Sequence, residues 1–129
     1  MTRTTAASIF TALAVLVIAF QVALVAGAPW GEYTLGGSYP GQLPMPIRLV
    51  PIVSALLIAS FVLTVRARAG LLWVNQRAGR IFARFIWVVV AYSALGTLLN
   101  AITPSAIERL IWLPVVIGLL LTSLRVARS

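Results

Sequence analysis

Four long apolar stretches, separated by short polar or turn-forming segments, make up almost the whole chain. The first runs from Ala6 to Ala28, interrupted only by Ser8, Thr11 and Gln21, and stops at Gly27-Ala28-Pro29, a helix-ending sequence. The second covers residues 47–65, with Pro51 in its opening turns, where a missing amide hydrogen costs least. Arg66 and Arg68 mark its end. The third covers 81–103 and meets Pro104; the fourth covers 107–124 and carries Pro114 inside it. At 1.5 Å per residue even the fourth reaches about 27 Å, enough for a hydrocarbon core of about 30 Å. The pattern predicts an all-α membrane protein: one antiparallel bundle of four transmembrane helices over residues 1–129, joined by a long first connection, 29–46, and a second, 66–80.

Composition agrees. The chain is 61% hydrophobic and 9% charged, against about a quarter charged in a soluble domain. Small residues at Ala26, Gly27 and Ala28 resemble a signal-peptide cleavage site. The apolar run before them is longer than a signal core of about 7 to 15 residues, so the first segment is read as a retained helix.

Charge gives orientation. All ten basic residues are arginines, and the only acids are Glu32 and Glu108. Arg48 and Arg109 lie on the first and third connections; the other eight arginines lie at the termini or on and just after the second connection. Under the positive-inside rule both termini and the 66–80 segment are expected to be cytoplasmic, in a multi-pass protein of the cell (plasma) membrane. Because the basic residues flank apolar spans, the expected partners are the bilayer and its anionic phospholipids, with no nucleic acid. Arg77, Arg80 and Arg84 recur at helical spacing and are candidate anionic-lipid contacts. Leu71 to Val74 are too apolar for a free loop and are expected to lie along the membrane surface.

The outer connection reads PWGEYTLGGSYPGQLPMP, with four glycines and four prolines in eighteen residues. Such a segment makes tight turns, and Gly36-Gly37 could form a two-residue hairpin turn between very short strands. Trp30, Tyr33 and Tyr39 are expected at headgroup depth. Ser105 and Glu108 fit an S-x-x-E capping box, in which serine and glutamate side chains bond the first amides of the fourth helix. Glu32, Arg48, Glu108 and Arg109 form a candidate outer-face polar cluster, expected to pair across the cap and tie the loop to the fourth helix. Within the spans, Gln21 and Asn100 are the strong polar groups, expected to hydrogen-bond between helices. Ser93 or Thr97 could satisfy the carbonyl that Pro114 frees.

Gly27-Ala28-Pro29-Trp30-Gly31, Gly36-Gly37, Pro40-Gly41-x-Leu43-Pro44 and Glu108-Arg109-x-x-Trp112-x-Pro114 together resemble a pattern in an uncharacterised family of small four-helix integral membrane proteins of high-GC bacteria. The resemblance implies a fold and a location but no activity. It also implies that the loop motif, Pro29, Trp30, Gly31, Gly36, Gly37, Gly41 and Pro44, forms one unit with Glu108-Arg109.

Without histidine, cysteine, aspartate or lysine, the acid–base repertoire is two carboxylates, tyrosines and arginines, so an enzyme is the least supported class. No catalytic residue, metal site or cofactor is assigned. The first reading is a structural or accessory protein acting by helix association with itself or a larger membrane complex. The alternative is a small-molecule or lipid transporter, expected to require an oligomer because four short helices enclose little cavity alone. Small multidrug transporters of similar size place an essential acid in the first span, where this chain has only Gln21.

Overall fold

The computed structural model describes residues 1–129 and contains four α-helices and no strand. These are α1 (Arg3–Val25), α2 (Leu49–Arg68), α3 (Gln76–Ile102) and α4 (Ala106–Ala127). All four are long and apolar enough to cross a membrane, and the chain is a multi-pass helical membrane protein.

Local chemistry sets the helix ends. Thr2, Asn75 and Ser105 are N-caps whose side chains accept from the amides of Thr5, Ala78 and Glu108. Such caps contribute about 1 kcal/mol each. The Asn75 cap starts α3 at Gln76, five residues before the apolar run, so Arg77, Arg80 and Arg84 lie in its first turns. With 27 residues, α3 is about 40 Å long, beyond the membrane's hydrocarbon thickness. Just before it, Leu71 packs against the core while Trp73 is 92% exposed.

The same stop closes α1 and α2. Gly27 and Gly70 take positive φ, 102° and 80°. Ala28 N then donates to Ala23 O and Leu71 N to Arg66 O, each at 2.9 Å, the outer bond of a Schellman motif. Pro104 follows the extended Thr103 and closes α3.

Each helix packs on the next and α4 returns to α1, with α2 and α3 the loosest neighbouring pair. Both chain ends lie at one end of the bundle, where Arg125 Nε donates to Met1 O (3.0 Å) and Arg68 Nη2 to Ser129 O (2.6 Å). The 29–46 loop covers the other end.

The packed core belongs to the terminal half. Ala6, Ala7, Phe10 and Ala14 of α1 meet Phe61 and Val65 of α2, Ile86 and Val89 of α3, and Leu119 and Val126 of α4. Gly118 permits the close approach of α1: a Cβ there would stand 2.6 Å from Leu13 Cδ1. No comparable set of buried apolar side chains fills the loop half.

The 29–46 loop is a chain of 3-10 turns, at Gly31–Tyr33, Leu35–Gly37 and Met45–Arg48. Gly36-Gly37 does form a turn, closed by Gly37 N to Thr34 O at 2.9 Å, but no hairpin strands flank it. Neighbouring amides are used locally instead, Tyr33 N on Trp30 O and Ser38 N on Leu35 O, which leaves no ladder to form.

Candidate functional site: a roofed cavity in the loop half of the bundle

Where the core stops, a cavity of about 590 Å³ begins. Phe20 and Gln21 of α1, Ser54 and Phe61 of α2, Tyr92 and Asn100 of α3, and Glu108 and Trp112 of α4 line it, and Thr34 to Gly36 form its roof. Its volume is that of a small-molecule pocket. Four short helices are expected to enclose little space; here they leave a space of that size, open in part. The reason is the uneven packing: the core is concentrated near the termini, and α2 and α3 pack loosely.

One wall of the cavity is exposed. Tyr92, Leu95 and Leu99 line it and are also 40%, 53% and 53% exposed on the bundle's outer surface. This wall belongs to α3, whose packing against α2 is the loosest between neighbouring helices, while the loop covers the end of the bundle.

Contacts far apart in sequence fasten the roof. Glu108 Oε2 accepts from Gly36 N at 2.8 Å, Trp112 Nε1 donates to Tyr33 O at 2.8 Å, and Ser105 Oγ donates to Glu32 O at 3.4 Å. Trp30 stacks on Phe20 (6.0 Å between ring centroids), and Phe20 meets Trp112 edge-on (4.7 Å). The loop and the start of α4 are thus one unit. Leu35 sits at φ 51°, a left-handed conformation costing a non-glycine residue about 1 kcal/mol. Gly31 marks the point where the loop crosses itself: its amide donates to Gly41 O at 2.8 Å, and a Cβ would fall 1.8 Å from Tyr39 O.

The predicted capping box is half formed. Ser105 Oγ accepts from Glu108 N (3.2 Å), but the Glu108 carboxylate does not return to its own helix. It takes the Gly36 amide and, at 3.4 Å, the Thr103 hydroxyl, while Ser105 N turns to Thr103 Oγ1.

Arg48 and Arg109 bond to backbone, not to carboxylates. Arg48 donates through Nε to Leu43 O (3.0 Å) and through Nη1 to Val25 O (3.4 Å); Arg109 Nη1 donates to Thr103 O (2.9 Å). Val25 and Thr103 stand at the carbonyl ends of α1 and α3, neither of which has a basic residue in its last turn. Each arginine supplies the positive charge that the negative helix end lacks.

The other sequence candidates fall into two places. Asn100 Nδ2 donates to Gly96 O of its own helix (2.7 Å), so it and Gln21 serve as cavity wall rather than as a link between helices. Thr97 likewise bonds its own helix, at Ser93 O (2.8 Å), and does not serve the carbonyl freed by Pro114. Arg77, Arg80 and Arg84, with Ile81, enclose a shallow cleft of about 170 Å³ at the opposite end. Of the loop motif, Gly31 and Gly41 make the crossing, Gly36 and Gly37 the roof turn, and Pro44 O accepts the Ile47 and Arg48 amides.

Sequence reasoning missed the aromatic walls, Phe10, Phe20, Phe61 and Tyr92, because an aromatic ring in an apolar span reads the same whether it faces lipid or cavity. Chemically the site can bind but is poorly furnished to react: one carboxylate, hydroxyls, two amides and rings, with no group of metal-ligating side chains. In the loop, the Glu32 carboxylate favours the neutral, hydrogen-bonding phenol and raises Tyr33 above its usual value of 10.0. Comparison with protein-family models, curated proteins and solved structures finds no match to this chain, so the site is understood through its own geometry.

Proposed function

We propose that this chain is a non-catalytic membrane protein that holds a lipid-soluble small molecule inside its bundle, taken up sideways from the bilayer, as a carrier or transporter would. The roofed cavity with an exposed α3 wall carries this reading: an opening beside Tyr92, Leu95 and Leu99 would admit molecules from lipid. The apolar lining suits an apolar body, and Gln21, Ser54 and Asn100 offer hydrogen bonds to a polar part. A single chain suffices, so the oligomer expected for a transporter is not needed to build the site.

The arginine bias supports a plasma-membrane location with cytoplasmic termini, which puts the cavity in the outer half of the bilayer. The Arg77, Arg80 and Arg84 cleft then faces the inner leaflet, where anionic phospholipids attract each arginine by about 1 kcal/mol.

The test uses a variant with Trp112 as its only tryptophan, in nanodiscs. A brominated fatty alcohol should quench Trp112 saturably, and Ser54→Phe, which puts a ring into the cavity, should weaken the saturable part without changing helical content. Quenching that stays linear with probe concentration in both proteins would overturn the proposal.

The accessory reading keeps one supporting observation. The most apolar window of each helix is only 17% to 33% buried, leaving wide faces for lipid or a neighbour. Recovery of only the single chain with bulk lipid after purification in mild detergent would remove that reading.

A further inference from the structure

Ten arginines and two glutamates give this chain a formal charge of +8, yet the cavity contains no arginine and one of the two acids. We propose that the cavity is a site for an organic cation with an apolar body, its charge placed between Glu108 and the rings of Phe20 and Trp112. The inference rests on the amphiphile reading above and specifies its ligand class.

Three observations converge. First, both hydrogen bonds to the Glu108 carboxylate fall on Oε2, from Gly36 and Thr103, which leaves Oε1 without a protein partner on a residue that lines the cavity. The roof contact therefore positions the acid without consuming it. Second, the lining is rich in aromatic rings. Trp112 stands one helical turn from Glu108 on α4 and meets Phe20 of α1 in edge contact at 4.7 Å, with the Trp112 indole fixed by its bond to Tyr33 O. Deeper in, Phe61 and Tyr92 meet edge-on at 5.0 Å, and Phe10 closes the floor. A ring face attracts a cation, most strongly where water is scarce. Third, the two arginines at this end are held elsewhere: Arg48 and Arg109 donate to backbone carbonyls and neither lines the cavity. From Glu108 to Leu119 the cavity wall follows α4 over eleven residue steps, about 16 Å, room for a bulky apolar body below the charge. An anionic lipid headgroup would meet Glu108 with no arginine to offset it.

The experiment measures equilibrium binding to the full chain in nanodiscs of phosphatidylcholine, which carries no net charge. The probes are three molecules of similar apolar shape: tetraphenylphosphonium, neutral triphenylphosphine oxide and anionic tetraphenylborate. The cation should bind saturably and at least about tenfold tighter than the neutral probe, with the anion weakest. E108Q, whose amide oxygen can still accept from Gly36, should lose most of that preference, the ratio of cation to neutral-probe affinity falling toward one. Phe20→Leu should weaken the cation about fivefold and the neutral probe little. Equal affinity for all three probes, or an E108Q protein that retains the full preference, would overturn the cation assignment and leave the amphiphile reading standing. No saturable binding of any probe, with Ser54→Phe identical to the native chain, would remove both.

Discussion

Gly31 is the residue that the loop can least replace. With Tyr39 O 1.8 Å from where a Cβ would stand, Gly31→Ala must push two backbone segments apart. Its expected cost is about 2 kcal/mol, seen as a lower unfolding temperature in detergent and faster proteolysis within 29–46. Tyr33 gives a pH signature in the same loop. Its raised pKa means that the neutral phenol is the form the folded loop favours, so this contribution is fully present below the ordinary tyrosine value of 10.0 and is lost as pH rises through the higher folded value. Ultraviolet titration should show one phenol ionising late, and Glu32→Gln should bring it back toward the ordinary value. At this scale the sequence was partly legible. The glycine and proline punctuation announced tight turns, but nothing in it told which glycine lies under a crossing carbonyl, because Gly31 and Gly41 meet only after the intervening turns have formed.

Among elements, the helix ends were the best-marked features and the arginines the most misleading. Gly27 before Pro29, and Ser105 before Glu108, locate a stop and a start by local chemistry alone. Pairing Arg48 and Arg109 with Glu32 and Glu108 was reasonable from charge. The folded chain uses them otherwise, because α1 and α3 finish at the loop end with carbonyls to satisfy and no basic side chain of their own. Arg109→Ala is expected to destabilise the bundle by about 1 kcal/mol, measured by thermal unfolding in detergent, while reversing Glu32 leaves that value nearly unchanged. If a Glu32→Arg reversal proves as costly as Arg109→Ala, the acids matter more than the helix ends. α2 and α4 need no such help, since Arg66, Arg68 and Arg125 lie in their own last turns. All four helix C-termini thus have a nearby cation, two from within and two from a neighbouring element.

For the whole molecule, the consequence is a bundle packed at one end and hollow at the other. Ile86, fully buried in the terminal half, should lose about 3 kcal/mol on replacement by alanine. Leu99, on the exposed cavity wall, should lose less than about 1 kcal/mol under the same measurement. Orientation is also testable cleanly, because the chain has no cysteine. A cysteine placed at Ser38 should react with a membrane-impermeant maleimide added to intact cells, and one at Ser129 only after lysis. The reverse pattern would place the cavity in the inner half of the bilayer.

The sequence by itself determined that the chain is helical, that it crosses a membrane four times and where most helices begin and end. Those properties depend on apolarity summed over about 20 residues and on caps that act within one turn. Only the tertiary structure decided which faces meet, and hence the cavity, its aromatic walls and the partners of Glu108, Arg48 and Arg109. A helix bathed in lipid is apolar all round, so no polar stripe marks the side turned inward. The bonds that build the roof join residues 72 and 79 positions apart, Gly36 to Glu108 and Tyr33 to Trp112, and exist only once four helices have taken their rotations about one another.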